Sequence, residues 1–71
     1  MNTPKTWIDC AVEEISLLYA HENSFFEVIC DGLYITNEYK GNNLREALEI
    51  YFDLFDSGSR FYVDEKEISW R

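Results

Sequence analysis

The stretch FFEVICDGLYIT, residues 25–36, sets two β-prone runs on either side of an Asp-Gly pair. Asp-Gly in that setting is the strongest short-range hairpin signal, because the type I′ turn it favours matches the twist of the flanking strands. A two-residue loop at Asp31-Gly32 places Cys30 opposite Leu33, Val28 opposite Ile35 and Phe26 opposite Asn37. One face then carries Phe26, Val28, Cys30, Leu33 and Ile35, and the other Phe25, Glu27, Ile29, Tyr34, Thr36 and Glu38. Side chains alternate across a strand, so the nearly all-apolar face is a core face that needs a covering layer.

The flanking segments supply that layer. Upstream, Trp7, Ile8, Ala11, Val12, Ile15, Leu18 and Tyr19 fall within about 140° of a helical wheel, with Asp9, Glu13 and Ser16 on the far side. The spacing predicts a helix that starts near Thr3-Pro4 and ends between His21 and Asn23. Downstream, Lys40-Gly41-Asn42 breaks the strand, and Asn43 with Glu46 three residues on resembles a capping box. The stretch LREALEIYFDLFDSG, residues 44–58, then reads as one helix with Leu44, Ala47, Leu48, Tyr51, Leu54 and Phe55 on its apolar side, Ile50 and Phe52 at the margins, and Gly58 as a left-handed cap. The final segment, RFYVDEKEISWR, predicts a second hairpin turning around Glu65-Lys66, with Phe61 and Val63 facing Trp70 and Ile68. The expected fold is therefore α+β, in the order helix, hairpin, helix, hairpin: two amphipathic helices packed on one face of a three- or four-stranded antiparallel sheet.

Seventy-one residues make one compact domain, 1–71, without linker or low-complexity run. Hydrophobic residues make up 46% of the chain and aromatic residues 17%, a composition that argues against disorder. The formal net charge is −8, from 14 acidic and 6 basic residues. Direct binding to nucleic acid or to an anionic membrane surface needs cationic side chains, so both are disfavoured and a basic protein partner is favoured. The N-terminal apolar residues are interrupted by Asp9, Glu13 and Glu14, unlike a secretory signal, and no run approaches a membrane span. Cys10 and Cys30 are too few for a disulfide framework and are expected as reduced, buried small hydrophobes of a cytoplasmic protein.

Chemistry-bearing constellations are sparse. His21 stands alone near the expected end of the first helix, where a cationic imidazole would suit the helix dipole. The stretch Asp53–Ser59 superficially resembles a calcium loop, but Phe55 and Gly58 occupy positions that need oxygen ligands. No histidine or cysteine spacing suits zinc, and no glycine-rich cradle suits a phosphate. The reading is of a non-enzymatic protein with no catalytic residue, metal or cofactor.

One pattern stands out. Glu46, Glu49, Asp53 and Asp56 recur at helical spacing with no lysine between them, a stripe about 15 Å long. Neighbouring like charges at this spacing cost roughly 0.2–0.5 kcal/mol per pair, and Asp56 also opposes the dipole at the helix C-terminus. The charge density resembles that of one DNA strand, with roughly one phosphate per 3.4 Å, so the stripe suits a groove built for nucleic acid. Asp9 and Glu13 on the first helix, and Asp64, Glu65 and Glu67 on the last hairpin, extend the acidic candidates; a solvated, solubilising face is the plain alternative. Phe25, Ile29 and Tyr34 project from the uncovered sheet face, with Ile29 opposed to Tyr34, and form an apolar candidate contact.

In size, charge and architecture the whole chain resembles the small, acidic, phage-encoded inhibitors of bacterial defence, the anti-CRISPR-type proteins. The resemblance rests on no diagnostic motif and transfers no residue roles. It implies a mode of action: occupation of the basic groove of a nucleic-acid-binding protein in the host cytoplasm. Glu46, Glu49, Asp53 and Asp56 would face the partner's Lys and Arg, and Phe25, Ile29 or Tyr34 would anchor apolar contact. An immunity or antitoxin protein that neutralises a nuclease would use the same physics. The alternative from another class is a homo-oligomeric module, such as a homodimer, formed through the aromatic sheet face.

Overall fold

The computed structural model describes residues 5–68. In chain order its elements are α1 (Trp7–Leu18), β1 (Phe26–Asp31), β2 (Ile35–Gly41), α2 (Leu44–Asp53), a 3₁₀ turn (Phe55–Ser57), β3 (Ser59–Val63) and β4 (Lys66–Glu67). This is an α+β arrangement of two helices and a four-stranded antiparallel sheet, with strand order β2-β1-β3-β4.

Capping sets where α1 begins. Thr6 is the N-cap: its hydroxyl accepts from the Asp9 backbone N–H at 3.1 Å, while the Asp9 carboxylate accepts from the Thr6 N–H at 3.1 Å. Two orphan donors are satisfied reciprocally, and the helix starts at Trp7 rather than near Thr3-Pro4, which lie outside the described residues. It also ends before the expected His21–Asn23, because the Tyr19 and Ala20 N–H groups both converge on the Ile15 carbonyl and close the last turn. His21 lies beyond the helix, in a turn closed by the buried Ser24, so the dipole explanation of its position does not apply.

The first hairpin departs from the expected register. Asp31 pairs with Ile35, Cys30 with Thr36 and Ile29 with Asn37, leaving a three-residue loop at Gly32-Leu33-Tyr34. Asp31 stays in the strand because its N–H donates to the Gly58 carbonyl at 3.0 Å and its carboxylate pairs with Arg60 at 2.9 Å. Those contacts outweigh the local turn preference, and Gly32 does not adopt positive φ. An odd-numbered slip turns over the residues of the second strand. Leu33 (98% exposed) and Ile35 (74%), expected on the core face, and Tyr34 (80%), expected on the opposite face, all face solvent at the tip. A bulge at Glu38 then resets the phase, so that Tyr39 pairs with Val28 and returns to the core side.

The second hairpin turns at Asp64-Glu65, not at Glu65-Lys66. Both residues have positive φ, 50° and 69°, and Val63 pairs with Lys66 across them. The Ile68 N–H donates to the Phe61 carbonyl, so Ile68 faces Phe61 rather than Val63; the expected partner Trp70 lies outside the described residues.

The core is built from Ala11 and Ile15 of α1, Phe26 and Val28 of β1, Leu44, Ala47, Leu48 and Tyr51 of α2, and Phe61 and Val63 of β3. α2 lies across β1, β2 and β3, whereas the principal neighbour of α1 is α2. Only the Ala11–Ile15 seam of α1 is fully buried. Trp7, Leu18 and Tyr19, on the same expected apolar face, remain exposed together with Leu17.

Candidate binding surface and aromatic cleft

α2 begins at Asn43, whose side-chain oxygen accepts from the Glu46 N–H at 3.0 Å. The reciprocal half of the expected capping box is absent, so the Glu46 carboxylate is directed to solvent. Glu49 is also exposed but not unpartnered: Arg45, one turn earlier, reaches its carboxylate at 3.6 Å. The same guanidinium bonds to Asp9 on α1 and clamps the two helices. That bond, followed by the backbone and hydroxyl donors of Thr6, holds the Asp9 carboxyl well below its ordinary 3.8, at about 2. Asp9 is thus a cap and a clamp, and Glu13 is paired with Lys5.

The acidic stripe is not a single helical ridge. α2 ends at Asp53, Leu54 leaves helical geometry, and Asp56 sits in the following 3₁₀ turn, which Gly58 closes at φ 88°. The carboxylates of Glu46, Asp53 and Asp56 make no hydrogen bond or ion pair among the described residues. On the last hairpin, Asp64 is committed to structure: its carboxylate accepts from the Phe25 N–H at 2.9 Å, and its N–H donates to the Phe25 carbonyl at 2.8 Å. Glu65 and Glu67 are exposed.

The apolar candidates do not converge as expected. Ile29 opposes Asn37 and not Tyr34, which lies in the loop. The uncovered face around half-buried Ile29 is polar, with Glu27 bonded to Asn37 at 3.2 Å, Asp31 to Arg60, and Tyr62 paired with Glu27 in the ladder. Phe25 is half-buried and shares a shallow recess with Glu27, Lys40, Asp64 and Glu65. Self-association through a shared Phe25–Ile29–Tyr34 patch therefore lacks its geometric basis.

A cleft of about 570 Å³ joins one residue of the expected stripe, Asp56, to three aromatic residues outside it, Trp7, Phe52 and Phe55. Trp7 packs edge-on to Phe52 with ring centroids 4.2 Å apart, and Phe55 packs edge-on to the core residue Tyr51 at 5.7 Å. Trp7 (58% exposed) and Phe55 (52%) were expected in the core.

Cys10 is exposed and Cys30 half-buried, both as free thiols, against the expectation of two buried hydrophobes. The Cys30 thiol donates to the Ser57 carbonyl at 3.5 Å, next to the 3₁₀ turn. Among the described residues no group of three or more His, Cys, Asp or Glu side chains is placed to hold a metal ion, and no helix is long and apolar enough to cross a membrane. No protein-family model, curated protein or solved structure matches the chain.

Proposed function

We propose that the chain is a non-catalytic binding protein that inhibits a basic, nucleic-acid-binding partner by occupying its groove in place of nucleic acid. One observation carries this reading: Glu46, Asp53 and Asp56 are exposed along α2 and the turn after it, and no cation of the described chain pairs with them. Glu46 is favoured by the helix N-terminus, but Asp53 and Asp56 sit at the end where carboxylates destabilise a helix, and the last turn of α2 carries no basic residue to offset them. Their placement fits an external cation better than internal stability. Glu49 contributes while sharing Arg45, and Glu65 and Glu67 extend the negative surface.

A net charge of −8 adds long-range steering toward a positive groove and repels competing nucleic acid. This is the mode of action of the anti-CRISPR-type inhibitors that the chain resembles in size and charge, and it would operate in the cytoplasm of a bacterial host. An immunity protein against a nuclease would act by the same contacts, and the identity of the captured partner separates the two.

The test is capture from bacterial lysate at low salt, comparing wild type with E46Q/E49Q/D53N, whose fold is checked by circular dichroism. The expected result is a nucleic-acid-binding protein retained by wild type, displaced by added nucleic acid, and lost by the folded variant. Equal capture by both proteins, or a captured partner that nucleic acid does not displace, overturns the reading.

A further inference from the structure

We propose that the cleft lined by Trp7, Phe52, Phe55 and Asp56 is a receptor site for an arginine side chain of a basic protein partner. The inference deepens the groove-blocking reading by naming a specific contact.

Three independent features of the cleft select a cation. Aromatic side chains form most of its lining among the described residues, and aromatic rings attract a cation through their quadrupole. The carboxylate of Asp56 belongs to the same lining and has no partner among the described residues. The cleft also lies at the C-terminal end of α2, where the helix dipole places partial negative charge and no basic residue occupies the last turn. Trp7 brings the N-terminal end of α1 to the same cleft, and that dipole would oppose a cation. Its end is already answered by the Thr6–Asp9 capping box, whose carboxylate Arg45 also shares, whereas the Asp56 carboxylate at the cleft is unshared among the described residues.

Arginine fits better than lysine. Its planar guanidinium stacks on aromatic faces and donates in a fork to a carboxylate, whereas an ammonium is compact and strongly hydrated. The rings are held in advance: Phe52 is braced by Trp7 and Tyr51, and Phe55 by Tyr51. An arginine entering the cleft therefore orders few groups of the receptor, which limits the entropic cost of binding. An apolar ligand would leave Asp56 desolvated without a partner, which disfavours it.

The test uses the full chain labelled with ¹⁵N and reads the Trp7 indole N–H by NMR, with a Trp70→Phe variant to assign the two indoles. The probes are the capped tripeptide Gly-Arg-Gly, its lysine counterpart, and the neutral isostere with citrulline in place of arginine. The expected result is a saturable shift of the Trp7 indole with the arginine peptide, weaker binding of the lysine peptide, and about tenfold loss of affinity both for citrulline and in Asp56→Asn. Asp56 is exposed and outside the core, so Asp56→Asn retains the fold, as its spectrum will show. Absence of a saturable shift, equal binding of citrulline and arginine, or unchanged affinity in Asp56→Asn overturns the proposal. If the peptide fails while E46Q/E49Q/D53N still abolishes partner capture, the arginine site alone falls. If the peptide binds and that variant captures as wild type does, the groove-blocking reading alone falls.

Discussion

Arg45 stands between carboxylates of two helices, and much of the surface electrostatics turns on it. Its hydrogen bond with Asp9 is the leading reason that the Asp9 carboxyl sits at about 2 rather than 3.8. Removing the guanidinium in Arg45→Gln should return the Asp9 titration toward 3.8, as measured by carboxyl carbon shifts in NMR. The linkage has a definite sign: a carboxyl whose pKa is lower in the folded state stabilises the fold above the unfolded value. This contribution is complete above 3.8 and is lost as pH falls toward 2, and Asp9→Asn should flatten the stability profile in that window. Gly58 is the other decisive single residue. Its φ of 88° lies in the left-handed region, and a Cβ there would stand 3.1 Å from the Asp31 carbonyl oxygen. Gly58→Ala should cost about 1–2 kcal/mol in chemical denaturation. The left-handed role of Gly58 was readable from its position after a helical run, whereas the Arg45 clamp was not, because it joins residues that only the tertiary fold brings together.

At the scale of elements, the two hairpins reverse their sequence signals. Asp31-Gly32 has the composition of a type I′ turn and does not form one, since Asp31 is held by Gly58, which closes the 3₁₀ turn, and by Arg60 of β3. At Asp64-Glu65 both residues adopt positive φ, which Asp tolerates and Glu does not favour. Glu65→Gly should therefore stabilise the protein by roughly 1 kcal/mol, seen as a raised denaturation midpoint, because it relieves a left-handed non-glycine residue. Asp64 is better retained for its bond to the Phe25 N–H. The helices were legible in existence and in the inward positions Ala11, Ile15, Ala47, Leu48 and Tyr51, all buried as their periodicity requires. The start of α2 at Asn43 was legible too, whereas the Thr6–Asp9 capping box that starts α1 went unread although its spacing is a sequence signal, and the end of α2 at Leu54 was not legible because it rests on backbone geometry. Three of the four stripe carboxylates lie on α2, but Asp56 belongs to the 3₁₀ turn and lines the cleft. Asp53→Lys should stabilise α2 by about 0.3–1 kcal/mol through the dipole while weakening partner capture.

Over the whole molecule, 14 acidic residues against 6 basic ones leave a self-repelling charge of −8. Screening should relieve it, so the melting temperature is expected to rise as sodium chloride increases from low millimolar to a few hundred millimolar, read by circular dichroism. A partner bound through this surface should show the opposite trend, with affinity falling over the same range. The α+β class was accessible from composition and periodicity because both depend on local spacing. The exposed hairpin tip and the aromatic cleft were not, because each arises from packing choices between elements: an odd register slip in one case, and a helix resting on another helix in the other.

The central place of β1 in the sheet, between β2 and β3, has a kinetic consequence. Pairing with β2 closes a short loop, whereas pairing with β3 must wait until α2 and its 3₁₀ turn have been laid across the strands. Loop closure and contact order therefore favour the first hairpin as the nucleus formed at the barrier and β3 docking as the event that follows it. Substitutions at the Asp64-Glu65 turn should then act mainly on the unfolding arm of a chevron plot, and those in the β1–β2 pairing mainly on the folding arm.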